Sequence, residues 1–218
     1  MPDKLKIFRL TSNEVVVLAV LLFVVILTAQ CSPRAAGAEV PAQALSYQRQ
    51  LIREVRAQFG INAPAAVFAA QIHQESGWHA DARSPVGARG LAQFMPATAA
   101  WMCGRHQDLP PGCDVLTPAW AMRALVEYDR DLYGAVRGHG ECDRYWFTLR
   151  AYNGGLVNLN SERRLATDPL SRVVVDAQCG MGLRDQRFCA ENTGYPRRIL
   201  VDIQPAYAAW GPQVECRP

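Results

Sequence analysis

The segment AAVFAAQIHQESG, residues 65–77, limits what this chain can fold into more than any other stretch. Ala65 to Ile72 is largely apolar and made of good helix formers, which predicts a half-buried helix. Ser76-Gly77 reads as its end, because glycine tolerates the left-handed turn that closes a helix. Glu75 therefore falls on the last turn. Apolar neighbours and the negative end of the helix dipole both disfavour its ionised form, so its pKa should rise. A general acid that works at neutral pH is made in this way. Residues 84–93, SPVGARGLAQ, follow as a glycine-punctuated loop with a polar Gln93 at its end. Glycines allow close approach of backbone to ligand, and short polar side chains fix its orientation, so this loop predicts a cleft wall.

Elsewhere the pattern is helical. Tyr47 to Phe59 carries Leu51, Ile52, Val55 and Phe59 on one face with arginines opposite, and Gly60 ends it. Asn62-Ala63-Pro64 is a suitable start for the Glu75 helix. Pro96 to Met102 predicts a helix beside it. Thr117-Pro118 opens another, with Met122, Leu125, Val126 and Leu132 at helical spacing and Arg123, Asp129 and Arg130 on a solvated face. Residues 145–152, YWFTLRAY, form an apolar helix that places Trp146 and Phe147 in the core. A terminal helix is expected from Arg197 through Trp210. No strand-rich block, internal repeat or heptad run interrupts this, so the fold class is mainly α around one core.

Four motifs occur in order: E-S-G at 75–77, S-P-V-G-A-R-G-L-A-Q at 84–93, M-P-A-T-A at 95–99 and A-Y-N-G-G at 151–155. Together with E-N-T-G-Y-P-R-R-I-L at 191–200, the set resembles the catalytic domain of the soluble lytic transglycosylases, relatives of goose-type lysozyme that cut peptidoglycan. The resemblance spans roughly residues 50–205 and implies a lysozyme-like domain over 47–212, with an insertion at about 156–190. It implies Glu75 as the catalytic residue and Ser84, Gln93, Tyr152, Asn153 and Tyr195 as substrate-binding residues. It also implies glycan strands of peptidoglycan as the partner, and neither metal nor cofactor. Two departures stand out: Ala92 where the family usually has Met, expected to cost an apolar contact in the cleft wall, and Gly154 where it usually has Ala, expected to loosen the loop after Asn153.

The first 38 residues read as an export signal or an uncleaved membrane anchor. A basic start leads into an uncharged run over residues 15–29, and Ala36-Gly37-Ala38 offers a small-x-small cleavage site. A third reading is lipidation at Cys31, which Gln30 fits poorly. Residues 39–46 form a short linker. The expected location is the periplasm, free or tethered to the inner membrane through residues 15–29. Setting Cys31 aside, six cysteines remain, an even set that in an exported chain reads as disulfides. Several connectivities are open. The favoured set is Cys103–Cys113 across the Pro-Pro loop and Cys179–Cys189 across the glycine-rich loop, which would leave Cys142 for Cys216. Zinc would need closely spaced pairs such as C-x-x-C, which are absent. Net charge is +3, and nearly nothing once the first 38 residues are removed, so nothing argues for a nucleic-acid partner.

Glycosidases generally use two carboxyl groups. The resemblance supplies a reading in which one suffices. Glu75 protonates the oxygen between MurNAc and GlcNAc, then as carboxylate takes the proton of the C6 hydroxyl, which closes a 1,6-anhydro ring. The competing enzyme is a water-using muramidase in which Asp81 faces the cleft beside Glu75. A non-catalytic glycan-binding protein is the reading from a different class. His73 and His79 flank Glu75 without the H-E-x-x-H spacing of a zinc protease. Ser76 could cap the helix or touch ligand.

Overall fold

A computed structural model describes residues 38–216. The run at 15–29 and Cys31 lie outside the described residues. Among those described, no helix is long and apolar enough to cross a membrane.

The protein is built from helices, and the described residues contain no strand beyond two isolated bridges, Arg83 with Arg89 and Arg89 with Phe94, in the loop after Glu75. Helix α1 runs Ala44–Phe59, α2 Ala65–Ser76, α3 Pro96–Arg105, α4 Pro118–Ala135, α5 Glu141–Gly154, α6 Leu156–Arg163, α7 Arg172–Asp176 and α8 Cys189–Arg197. The short apolar helix α2 is the centre. Every residue from Ala65 to Ile72 is buried, and α1 and the C-terminal segment both pack on it. Truncating Phe68, which is fully buried, to Ala would cost about 3–5 kcal/mol. Gly77 ends α2 in the left-handed conformation, φ 57°, and returns its N–H to the His73 carbonyl at 2.9 Å.

Helix α1 begins at Ala44, three residues before the amphipathic pattern suggested, because Ala44 itself is buried. Helix α5 likewise starts four residues earlier than expected, at Glu141, with Glu141 and Asp143 in its first turn where the dipole favours acids. The expected terminal helix is not one α-helix. Arg198–Ile203 winds as a π-helix and Gln204–Trp210 as a 3₁₀ segment with a kink at Tyr207. Tyr207 explains the irregularity: its hydroxyl accepts from Trp78 Nε1 at 2.6 Å and meets His73 Nδ1 at 2.9 Å, and its ring packs on Trp210. Burial lowers the His73 pKa, so its ring is a neutral acceptor there. Thus His73 fastens the C-terminal segment to the end of α2.

The disulfides pair as expected: Cys103–Cys113, Cys179–Cys189 and Cys142–Cys216. The last joins the start of α5 to the C-terminus across 74 residues. Trp146 and Phe147 are in the core, as expected.

The polar face assigned to α4 needs correction. Arg123 is half-buried, bridging Glu54 at 3.0 Å, Asp108 at 2.7 Å and Glu127 at 3.1 Å. Asp129 is only 2% exposed. Arg130 alone keeps an exposed position, paired with Glu127 at 3.1 Å. The segment after Leu156 is also more than a tethered excursion. Glu162 on α6 is fully buried and accepts from Arg150 Nη2 on α5 at 2.5 Å and from Arg184 Nε at 2.8 Å. Arg150 also reaches Asp176 at 2.9 Å and Asn192 at 2.9 Å. Taking one partner from such a buried set leaves an uncompensated charge, which costs about 3–5 kcal/mol.

Candidate active site

Glu75 sits where α2 runs out, and the chain supplies a wall on each side. A cavity of about 370 Å³ opens over it, with Ser84 and Gln93 from the loop, Tyr152 and Asn153 from the end of α5, and Glu191 from α8 on its walls. Tyr195 is buried beneath and donates its hydroxyl to Glu75 Oε1. All six residues named from the sequence therefore meet in one place.

Each is fixed by a specific contact. Ser84 Oγ accepts the Ala88 N–H at 2.9 Å and closes the loop on itself. Gln93, held at φ 47°, donates Nε2 to the carbonyls of Gly90 at 2.9 Å and Ala82 at 3.3 Å. Gly90, φ 76°, has room for no side chain, since a Cβ would lie 2.0 Å from the Val115 carbonyl oxygen. Tyr152 donates to the Ala92 carbonyl at 2.7 Å. Ala92 is fully buried and its side chain does not line the cleft; its backbone carbonyl anchors Tyr152. Asn153 accepts from Asn192 Nδ2 at 2.8 Å and donates to Glu191 at 3.2 Å. Because Asn192 also bonds Arg150, the buried ionic set below holds Asn153 in place.

Gly154 does not loosen this corner. It lies in the last turn of α5, and a Cβ there would fall 2.2 Å from Arg184 Nη1 and 2.5 Å from Asn192 Nδ2. Glycine makes room for the buried guanidinium that ties residues 156–190 to α5.

The electrostatics follow from burial. The Glu75 pKa is pushed up to about 7, first by loss of water, against the Tyr195 hydrogen bond that lowers it, with the charge of Glu191 raising it further. Tyr152 and Tyr195 are held well above the ordinary phenol value, first by burial and then by the Glu75 charge. They stay protonated and serve as donors. The arrangement offers one carboxyl poised to give a proton near neutral pH and take it back, with phenols around it.

The carboxylate that shares the cleft is Glu191, not Asp81. Asp81 is exposed and absent from the lining. Ser76 caps the helix end: its Oγ donates to the Ile72 carbonyl at 3.3 Å and accepts from Trp78 N–H at 3.2 Å. Two further cavities adjoin. One of about 430 Å³ shares Thr98 and Tyr128 with the Glu75 cleft and carries Trp101, 47% exposed, on its wall. The other, about 500 Å³, shares Val86, Asn153 and Glu191 and is closed by Leu183, Arg184 and Phe188 of the Cys179–Cys189 loop. Among the described residues, no group of three or more His, Cys, Asp or Glu side chains could hold a metal ion.

A helical, disulfide-supported domain with a carboxyl of raised pKa on the wall of its cavity belongs to the lysozyme-like class. Within that class, the Transglycosylase SLT domain family matches residues 50–173, and the chain belongs to that family. Among curated proteins the chain is similar to membrane-bound lytic murein transglycosylase F of Shewanella frigidimarina, 34% identical over 98 residues, covering 45% of this chain and 19% of that protein. The Pasteurella multocida protein of the same name is 39% identical over 100 residues, covering 45% and 19%. That of Vibrio campbellii is 31% identical over 137 residues, covering 60% and 24%. The matched part spans about a fifth to a quarter of those relatives. Among solved structures, the fold is similar to the 70 kDa soluble lytic transglycosylase of Escherichia coli, with TM-score 0.55 and 24% identity over 74% of this chain and 23% of that one.

Proposed function

We propose that this protein is a peptidoglycan lytic transglycosylase in which Glu75 acts first as acid and then as base. The observation that carries the reading is the position of Glu75: a carboxyl with a pKa raised to about 7, at the foot of a cleft and held by Tyr195. Protonated, it gives its proton to the oxygen linking MurNAc to GlcNAc as the bond from C1 to that oxygen breaks. The C6 hydroxyl of MurNAc then attacks C1 and returns its proton to the Glu75 carboxylate. The products are a 1,6-anhydroMurNAc end and a free GlcNAc end, the enzyme is regenerated and no water is consumed. Ser84, Gln93, Tyr152 and Asn153 bind and orient the sugars, and Tyr195 orients Glu75.

The glycan strand is a polymer, and a stretch longer than the Glu75 cleft runs on into the space beside it. The adjoining cavities supply that space, with Trp101 as a flat apolar face of the kind sugar rings stack on. The names of the curated relatives and the apolar run at 15–29 together support a periplasmic enzyme tethered to the inner membrane.

The test is mass spectrometry of sugars released from purified sacculi by the full chain with its disulfides intact, beside Glu75→Gln. Anhydro-ended products from the parent and none from the variant are expected. Reducing ends would replace this reaction with a water-using muramidase and make Glu191 the candidate second carboxylate, since it is the one that lines the cleft. No release of either kind would leave a glycan-binding protein.

A further inference from the structure

Behind Glu75 lies a second acid that the reaction above does not use. Asp129, on α4, is 2% exposed. The other buried acids have cations: Glu54 has Arg123, Glu127 has Arg123 and Arg130, and Glu162 has Arg150 and Arg184. Among the described residues Asp129 has none. Its polar contact is an amide, Gln71 Nε2, at 3.5 Å, and the other end of that same amide, Gln71 Oε1, is buried with no donor. A carboxylate only accepts, so an ionised Asp129 leaves that oxygen orphaned. A protonated Asp129 both donates and accepts, and pairs with a primary amide through two bonds. Gln71 and Glu75 are four residues apart on α2, so they lie on one face a single turn apart.

The geometry points to Asp129 as a positioning residue that works as a neutral carboxylic acid: its proton is shared with the Gln71 amide, and its lack of charge leaves Glu75 free to ionise. Glu75 must become a carboxylate midway through the proposed reaction. A fixed negative charge on the far side of Gln71, within electrostatic reach of Glu75 in low dielectric, would oppose that step. Among the described residues, the groups that surround Asp129 add no cation. Glu75 faces it from α2, Tyr145 and Tyr152 from α5, Tyr195 from α8, and Tyr128 is its own neighbour on α4. Burial drives the Asp129 pKa well above that of an ordinary aspartate, against the Gln71 hydrogen bond that lowers it and with the Glu75 charge adding to the rise.

The catalytic consequence rests on the proposed reaction; the protonation state does not, and the experiment separates the two. Asp129→Asn replaces the acid–amide pair by an amide–amide pair of the same shape with no ionisable group. Asp129→Ala removes the partner of Gln71. Thermal melts of the full chain are expected to show Asp129→Asn level with the parent near pH 4 and above it at pH 8, because a raised pKa costs the parent stability as pH climbs. Infrared spectra of Glu75→Gln at pH 8 are expected to show a protonated carboxylic-acid carbonyl that disappears in Glu75→Gln/Asp129→Asn. Sacculus turnover is expected to fall roughly 10–100-fold in Asp129→Ala and to be restored by Asn, as misplacement by about an ångström predicts. An Asp129→Asn protein less stable than the parent at pH 8, with no acid carbonyl to lose, would overturn the proposal and make Asp129 a structural carboxylate. Should the Ala variant not fold, the Asn melts and spectra still decide. If both come out as expected but Asn does not restore turnover, the protonation state stands and the positioning role is overturned.

Discussion

Glu75→Gln should make this protein more stable, and only as pH rises through the range in which Glu75 ionises. The side chain is partly exposed at the cleft floor, and its pKa rises from 4.5 to about 7, chiefly through burial. A carboxyl whose folded-state pKa lies above its unfolded value contributes stability that is intact below the unfolded pKa. That stability is lost as pH rises through the folded one. The window here is therefore pH 4.5 to 7. At about 1.4 kcal/mol per unit, the shift corresponds to roughly 3 kcal/mol, and partial solvent contact lowers this to about 2–3. Glutamine keeps the oxygen that accepts from Tyr195 and cannot ionise. Urea denaturation should thus find the variant equal to the parent at pH 4 and about 2–3 kcal/mol more stable at pH 8, or several degrees in Tm for a chain of this size. Asp129 and Asp176 also titrate upward of their usual range, so the quantity to compare is the difference between variant and parent at each pH. Parallel stability curves would show that Glu75 pays no penalty for its position, and the acid would have to be explained some other way.

Other consequences can be checked on the same preparation. In Tyr195→Phe the bond that lowers the Glu75 pKa is lost, so the alkaline fall in kcat/KM, centred near pH 7 in the parent, should move to higher pH. A pH–rate profile that does not move would separate Tyr195 from Glu75. Gly154→Ala should destabilise by about 1–3 kcal/mol through the clash with Arg184 and Asn192, measured as a lower urea midpoint; a neutral result would mean that the guanidinium can retreat. Replacing Cys142 and Cys216 by Ser should cost about 4 kcal/mol, more than removing either ten-residue bridge, because the loop it closes is the longest. Trp101→Ala should raise KM for long glycan strands several-fold and leave kcat for a short fragment unchanged; an equal effect on both would take Trp101 out of the strand path.

The helices and the acid were legible because both are written locally. Apolar spacing marks α1, α2 and α4, and a carboxyl beside a helix-ending glycine marks Glu75. Disulfide pairing was legible where spans are short. What escaped was polar chemistry inside the core. The spacing that placed Met122, Leu125, Val126 and Leu132 on the buried stripe of α4 also places Asp129 there, four residues after Leu125 and three before Leu132. Reading by residue type put Asp129 with the solvated arginines; reading by phase would have put it inside. Arg150 falls the same way, three residues after Phe147 and four after Trp146. Its partners Glu162 and Asp176 lie 12 and 26 residues on, a pairing that local periodicity does not encode. The π-helical and 3₁₀ turns after Arg197 were illegible for the same reason, since a tertiary bond between Tyr207, Trp78 and His73 accompanies them.

The buried acids divide by whether a cation accompanies them. Glu127 sits between two arginines of its own helix, of which Arg123 also reaches Glu54 on α1, and Glu162 on α6 sits between Arg150 of α5 and Arg184. Asp176, with Arg150 at 2.9 Å, is still pushed up to about 6, first by burial. At the cleft, arginine is withheld. Glu75 has a phenol and Asp129 an amide, both neutral donors. A guanidinium beside Glu75 would hold it ionised and unable to protonate a leaving oxygen at neutral pH. The fold thus uses one residue type for two purposes, and the choice of neighbour decides which. Placing Arg at position 71 would test this directly. A cation one turn from Glu75 and facing Asp129 should pull the alkaline limb of activity well below pH 7. If the limb stayed near 7, the absence of cations around Glu75 would not be what keeps its proton.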